Sequence, residues 1–223
     1  MMVRAGWLGW VVILGGLTAC HAVPPIPPYV SVRNHGWVPD PVLHSTVLVV
    51  PFDVSAAPSI DAELARSALL MALRELHQVE VVALSPATSL RSRIPTKVER
   101  SEAMIDALIQ WRQEYGVSSV LFGSVTFHRP YGEPALGYRL TLVDARNGEI
   151  LWGADDVLDA EEPLVRAALA SFQSQMHSSS FATAPDHLPL EVFARFVASS
   201  FALSWRPLSP DSAETPTEIA SVN

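Results

Sequence analysis

The chain of 223 residues carries one cysteine, Cys20. A single thiol can form no internal disulfide and cannot build a zinc site that needs several thiolates. Charge is sparse: Asp, Glu, Lys and Arg make up 17% of the chain, with a formal net charge of −8. A negative chain with few cations is repelled by a phosphate backbone, so nucleic acid is not an expected partner. After Cys20 no apolar run reaches the length of about 20 residues that a spanning helix takes. No Gly-rich phosphate loop is present apart from the pair Gly15-Gly16 in the first apolar run. The small-residue run Gly123-Ser124-Val125 is not the Gly-x-Ser-x-Gly of a nucleophile elbow. His128, His177 and His187 stand apart, without ligand spacing. No internal repeat occurs. These absences leave no constellation for catalysis, no metal site and no cofactor, so the expectation is a non-enzymatic protein.

The start of the chain is more specific. Arg4 supplies a short positive region, Trp7 to Leu17 an apolar core, and Thr18-Ala19 small residues before Cys20. That order is the pattern of a secretory signal, and the run is too short and too glycine-rich for a good spanning helix. Leu17-Thr18-Ala19-Cys20 resembles the lipobox of bacterial lipoproteins. The resemblance implies diacylglyceryl transfer to the Cys20 sulfur, cleavage after Ala19 and acylation of the new amino terminus. Residues 1–19 are thus expected to be a signal peptide. A lipid at Cys20 would be the link to the membrane, because two or three acyl chains hold a protein on a bilayer where one does so only marginally.

Residues 20–44 read as the lipidated cysteine and a proline-rich tether. Pro24, Pro25, Pro27, Pro28, Pro39 and Pro41 disfavour helix and interior sheet. Extended at about 3.1 Å per residue, such a segment reaches roughly 70 Å. Val30, Val32, Trp37 and Val38 would shorten it if they pack back on the domain. The domain is expected over 45–206, and 207–223, proline-bearing and poor in large apolar residues, as a disordered tail.

Within the domain, Val47-Leu48-Val49-Val50 reads as a strand buried on both faces. A helix follows over 60–77, capped by Ser59 or Asp61, then a strand from Val79 to Leu84. Met104, Ile105, Leu108 and Trp111 mark one face of a second helix over 99–115, ended by Gly116. Strands are expected from Val117 to Phe127 and Ala135 to Val143, with a return strand from Ile150 after an Asn147-Gly148 hairpin turn. Pro163 suits the first turn of a helix to about Met176, and Leu190 to Trp205 forms a last helix. The order β-α-β-α-β-β-β-α-α predicts a single α/β domain with a mixed sheet in two or three layers.

Val47 to Asp155 is similar to a family of envelope domains that includes the amino-terminal domain of the translocation protein TolB, the curli-secretion lipoprotein CsgG and the lipoprotein LpoB. The likeness lies in the opening strand Val47-Leu48-Val49-Val50-Pro51-Phe52 and in the entry to the central strand at Tyr115-Gly116-Val117. It continues in the hairpin from Leu140 through Asp144 and Gly148 to Trp152. The resemblance implies an envelope scaffold or assembly lipoprotein that binds another envelope protein and serves secretion, assembly or cell-wall machinery. A subunit of a homo-oligomeric outer-membrane secretion channel is the alternative, but residues 85–98 and 129–134 are short for membrane-inserted hairpins. His21 after the lipid cysteine, in place of aspartate, favours the outer membrane, facing the periplasm, by analogy with enteric bacteria.

Three surfaces are candidates for contacts. Asp155, Asp156, Asp159, Glu161 and Glu162 could gather a hard cation, or form a solvated strand end and the acidic start of a helix. Arg91, Arg93, Lys97 and Arg100 concentrate positive charge around one loop. The Leu190–Trp205 helix is apolar on nearly every side. It is either core, covered on two sides, or a docking surface with Phe193, Phe201 and Trp205 as the contact residues.

Overall fold

The structure, a computed structural model, describes residues 29–36, 46–77, 79–85, 101–129, 131–177 and 188–205. The signal peptide with Leu17, Thr18 and Ala19, the lipidation candidate Cys20, the loop with Arg91, Arg93, Lys97 and Arg100, His187 and the tail 207–223 lie outside them. Six strands form one sheet: β1 (Asn34–Gly36), β2 (Thr46–Val49), β3 (Glu80–Ala83), β4 (Ser119–Arg129), β5 (Ala135–Asp144) and β6 (Ile150–Asp159). The helices are α1 (Ala62–Glu75), α2 (Glu102–Tyr115), α3 (Pro163–His177) and α4 (Leu190–Leu203). The spatial order is β1-β6-β5-β4-β2-β3. Strands joined through helices, β2, β3 and β4, are parallel, and those joined by hairpins, β4, β5 and β6, are antiparallel. This is the expected mixed α/β sheet, with one strand more than expected.

The β2 run is apolar throughout because helices cover both of its faces. Val47 and Val49 point into the core shared with α1, α3 and α4. Leu48 and Val50 point the other way, against Met104, Leu108 and Trp111 of α2. The fold therefore has three layers around β2. Farther along β4, β5 and β6, the α2 face carries Arg139, Asp155 and Val157 and is open to solvent.

Local signals act where they stand. The Asp61 side chain accepts from Glu63 N at the start of α1, and Ser101 does the same for Met104 N at α2 (3.3 Å). Gly116, at φ 67°, closes α2 in the left-handed conformation with its N–H on the Arg112 carbonyl. Arg66 is buried on α1 and joins that helix to the ends of β2 and β3. Its Nη1 donates to the Leu84 carbonyl (2.7 Å), while Nε and Nη2 bind the Glu63 carboxylate (3.0 and 2.9 Å).

Two open readings close and one expectation changes. First, the tether does not run free to residue 44: residues 29–36 lie on the domain, and β1 adds antiparallel to β6. Val32 is buried, and burying it offsets the ordering of a short segment. Second, α4 belongs to the core. Phe193 and Phe201 are 0% exposed and Trp205 2%, so these three residues are not contacts on an open surface. Phe201 packs on Tyr138 (ring centroids 5.4 Å) and Trp205 on Trp152 (5.0 Å). The helix is apolar on several sides because the sheet lies beneath it, α1 flanks it and residues 29–34 cross it. Third, the β5–β6 connection is a loop over 145–149. Only Gly148 in it has positive φ (70°), and Asp144 holds it by accepting from Arg146 N (2.7 Å), so it is not a two-residue Asn-Gly turn.

Candidate functional site

No catalytic or ligand site emerges among the described residues; the feature that bears on function is where the amino-terminal segment joins the domain. Hydrogen bonds to α4 and β6 attach it. Val30 N–H donates to Ser200 Oγ on α4 (3.1 Å), and Asn34 Nδ2 donates to the Ser204 carbonyl (3.3 Å). Asp155 N–H donates to the Arg33 carbonyl (3.1 Å), continuing the β1–β6 ladder. Asp156 receives both the Arg33 backbone N–H (3.0 Å) and its guanidinium (3.3 Å). His35 lies over Gly153, where a Cβ would come within 2.6 Å of the imidazole Nε2, so a larger residue there would make the exposed His35 ring turn aside. At about 3.4 Å per residue, the stretch from Cys20 to Tyr29 spans at most about 30 Å.

The acidic cluster is neutralised by arginines from neighbouring strands rather than gathered around a cation site. Arg139 on β5 binds Asp155 directly across the strand pair (2.6 Å), and Arg33 binds Asp156. Arg129 on β4 reaches both Asp159 and Glu161. No group of three metal-ligating side chains occurs among the described residues. The Arg139–Asp155 pair is exposed, where such a pair contributes about 0–1 kcal/mol, and Arg129–Asp159 is partly buried. Sequence spacing could not show them, since the arginines come from other strands.

Gly123 makes room for an aromatic ring. A Cβ there would lie 2.2 Å from Phe52 Cε1. The adjacent Ser124 pairs with Asp53 through an isolated parallel bridge.

His128 is bound where the β2–α1 connection crosses β4. Its Nδ1 shares a hydrogen bond with Ser59 Oγ (2.8 Å), and its Nε2 is buried without a partner among the described residues. Burial of the ring lowers its pKa below the ordinary 6.5, because the imidazolium would bury a second, unpaired N–H. A folded pKa below the unfolded one gives stability that is complete above about pH 6.5 and is lost as pH falls through the folded value. The urea midpoint is therefore expected to fall between pH 7.5 and 5, more steeply than in a His128→Gln variant. Equal slopes in the two proteins would refute this. The Ser59–His128 pair joins residues 69 positions apart and has no local sequence signal. The side chain of His177 and all of His187 lie outside the described residues.

The chain is similar in structure to several bacterial proteins at low identity. It matches the PelC dodecamer structure from Paraburkholderia phytofirmans at 20% identity, covering 64% of this chain and 92% of that one, with a TM-score of 0.43. It matches lipoprotein GNA1162 from Neisseria meningitidis at 20% identity, covering 61% and 99%, with a TM-score of 0.40. It matches the LpoB carboxy-terminal domain from Escherichia coli at 20% identity, covering 51% and 82%, with a TM-score of 0.37. No protein-family model and no curated protein matches the chain.

Proposed function

We propose that the protein is a non-catalytic lipoprotein of the bacterial envelope. It is anchored through lipid on Cys20 and holds an α/β domain close to the membrane, where that domain binds another envelope protein. The observation that carries the reading is the order of Arg4, the Trp7–Leu17 apolar run and Leu17-Thr18-Ala19-Cys20. The domain agrees with a scaffold role in one respect: its aromatic interior is used for packing, and its charged strand ends are paired with each other. By analogy with the rule for the residue after the lipid cysteine, His21 favours the outer membrane, with the domain on the periplasmic side.

A secretion-channel subunit is less well supported. The β4–β5 connection, 130–134, is shorter than the about 9–11 residues of one membrane-crossing strand. The apolar strands beside it are committed to the domain core.

The anchor is tested by Cys20→Ser in the full chain. The expected result is loss of the acyl mass increment and release from the membrane fraction, with folding retained. A Cys20→Ser protein that stayed processed and membrane-bound like the wild type would sink the reading.

A further inference from the structure

We infer that one end of the sheet, formed by the β4–β5 turn and the start of α3, rests on the surface of the phospholipid bilayer. This rests on the lipid anchor proposed above. Tyr131 and Leu164 are the two most exposed large apolar side chains among the described residues, 85% and 79% open. They share one end of the molecule. Tyr131 lies in the turn after β4, Leu164 in the first turn of α3 after β6, and the two loops are tied by Ala160 N–H on the Pro134 carbonyl (3.0 Å). Phe127 and Val157, 43% and 40% exposed, stand near the same ends of β4 and β6.

The chain path says what this end faces. β1 is antiparallel to β6, with Asn34 opposite Ala154 and Gly36 opposite Trp152. Upstream of β1 the chain therefore heads toward Asp159, the end that carries Tyr131 and Leu164. It is held on that course by Arg33 on Asp156 and by Val30 on α4. From Tyr29 no more than about 30 Å of chain leads back to Cys20. An anchor so short, leaving from this end, turns the end toward the bilayer. Tyrosine, with an apolar ring and a polar tip, suits the headgroup level, and an exposed leucine beside it suits the acyl boundary. Glu133, Glu161 and Glu162 are exposed around the same end, so the surface that fits is zwitterionic rather than anionic.

The test uses the full-length lipidated protein in phosphatidylcholine vesicles that contain a lipid-borne quencher. Lipidated Cys20 has no free thiol, so a fluorophore on Tyr131→Cys, Leu164→Cys or Gln113→Cys is the only label; Gln113 is exposed near the far end of α2. The expected result is strong quenching at positions 131 and 164 and none at 113. Equal quenching at all three positions, with the lipid on Cys20 confirmed by mass, would overturn the contact while leaving the anchor intact. Adding Leu164→Asp to the position-131 reporter should abolish its quenching. Quenching that persists would mean proximity imposed by the short tether rather than contact, and would also overturn the inference. An unmodified Cys20 would remove the anchor reading, and this inference with it.

Discussion

Phe201→Ala is expected to lower the unfolding free energy by about 3–5 kcal/mol, the range for emptying a buried phenylalanine site. Phe201 is 0% exposed and meets the ring of Tyr138 at a centroid distance of 5.4 Å, on a helix wedged between the sheet and α1. Tyr138 is itself fully enclosed, its hydroxyl has no partner among the described residues, and burial raises its pKa above the ordinary 10. A cavity beside it would lose the ring contacts that Phe201 makes with Tyr138. Urea unfolding of the chain without residues 1–20 would measure the cost as a lower midpoint at unchanged slope. A loss of about 0.5 kcal/mol or less is what a surface residue gives, and would return Phe201 to the docking reading.

Gly123→Ala is expected to cost about 3 kcal/mol, at the upper end of the range for overpacking a filled site. The added methyl would meet Phe52 Cε1 at 2.2 Å and Cζ at 2.4 Å. The ring cannot easily turn away, since Phe52 is 5% exposed and stands edge-on to Tyr138 at 6.0 Å. The backbone is also fixed, because Asp53 N–H donates to the Gly123 carbonyl (3.0 Å). The cause can be isolated by repeating the change in a Phe52→Ala background. Without the ring the methyl fills space, and its cost should fall to near zero or reverse, as a coupled pair in a double-mutant cycle requires. Additive costs would show that strand propensity, and not the ring, demands glycine here.

Both changes involve features that residue order shows only in part. Val47-Leu48-Val49-Val50, Asp61, Gly116 and Pro163 could be read because their signals are local: an apolar run, a capping carboxylate, a left-handed residue and a proline at a helix start. The Leu190–Trp205 helix was ambiguous for a physical reason. Periodicity reports how wide an apolar face is, but not how many neighbours cover it, and α4 has the sheet, α1 and the 29–34 segment around it. Asn34-His35-Gly36 carries no β-branched or aliphatic pattern, and its partner strand lies more than a hundred residues away, so β1 could not be read locally. The same distance hides the pairing of Arg33 with Asp156 and of Ser59 with His128. For function, the lipobox-like motif can be read in residue order, whereas the end of the domain toward which the chain upstream of β1 leads shows only in the β1–β6 register.

That register also fixes how a pull would travel. Tension applied upstream of Tyr29 runs along the axis of β1, so the rungs between β1 and β6 would be loaded side by side in shear instead of parting one after another. The Arg33–Asp156 and Val30–Ser200 bonds share that load. Only when they fail together would residues 29–36 peel away, releasing about 25 Å of slack. Under load, residues 29–36 would thus be expected to stay docked at small forces and to lengthen the connection in one step at larger ones.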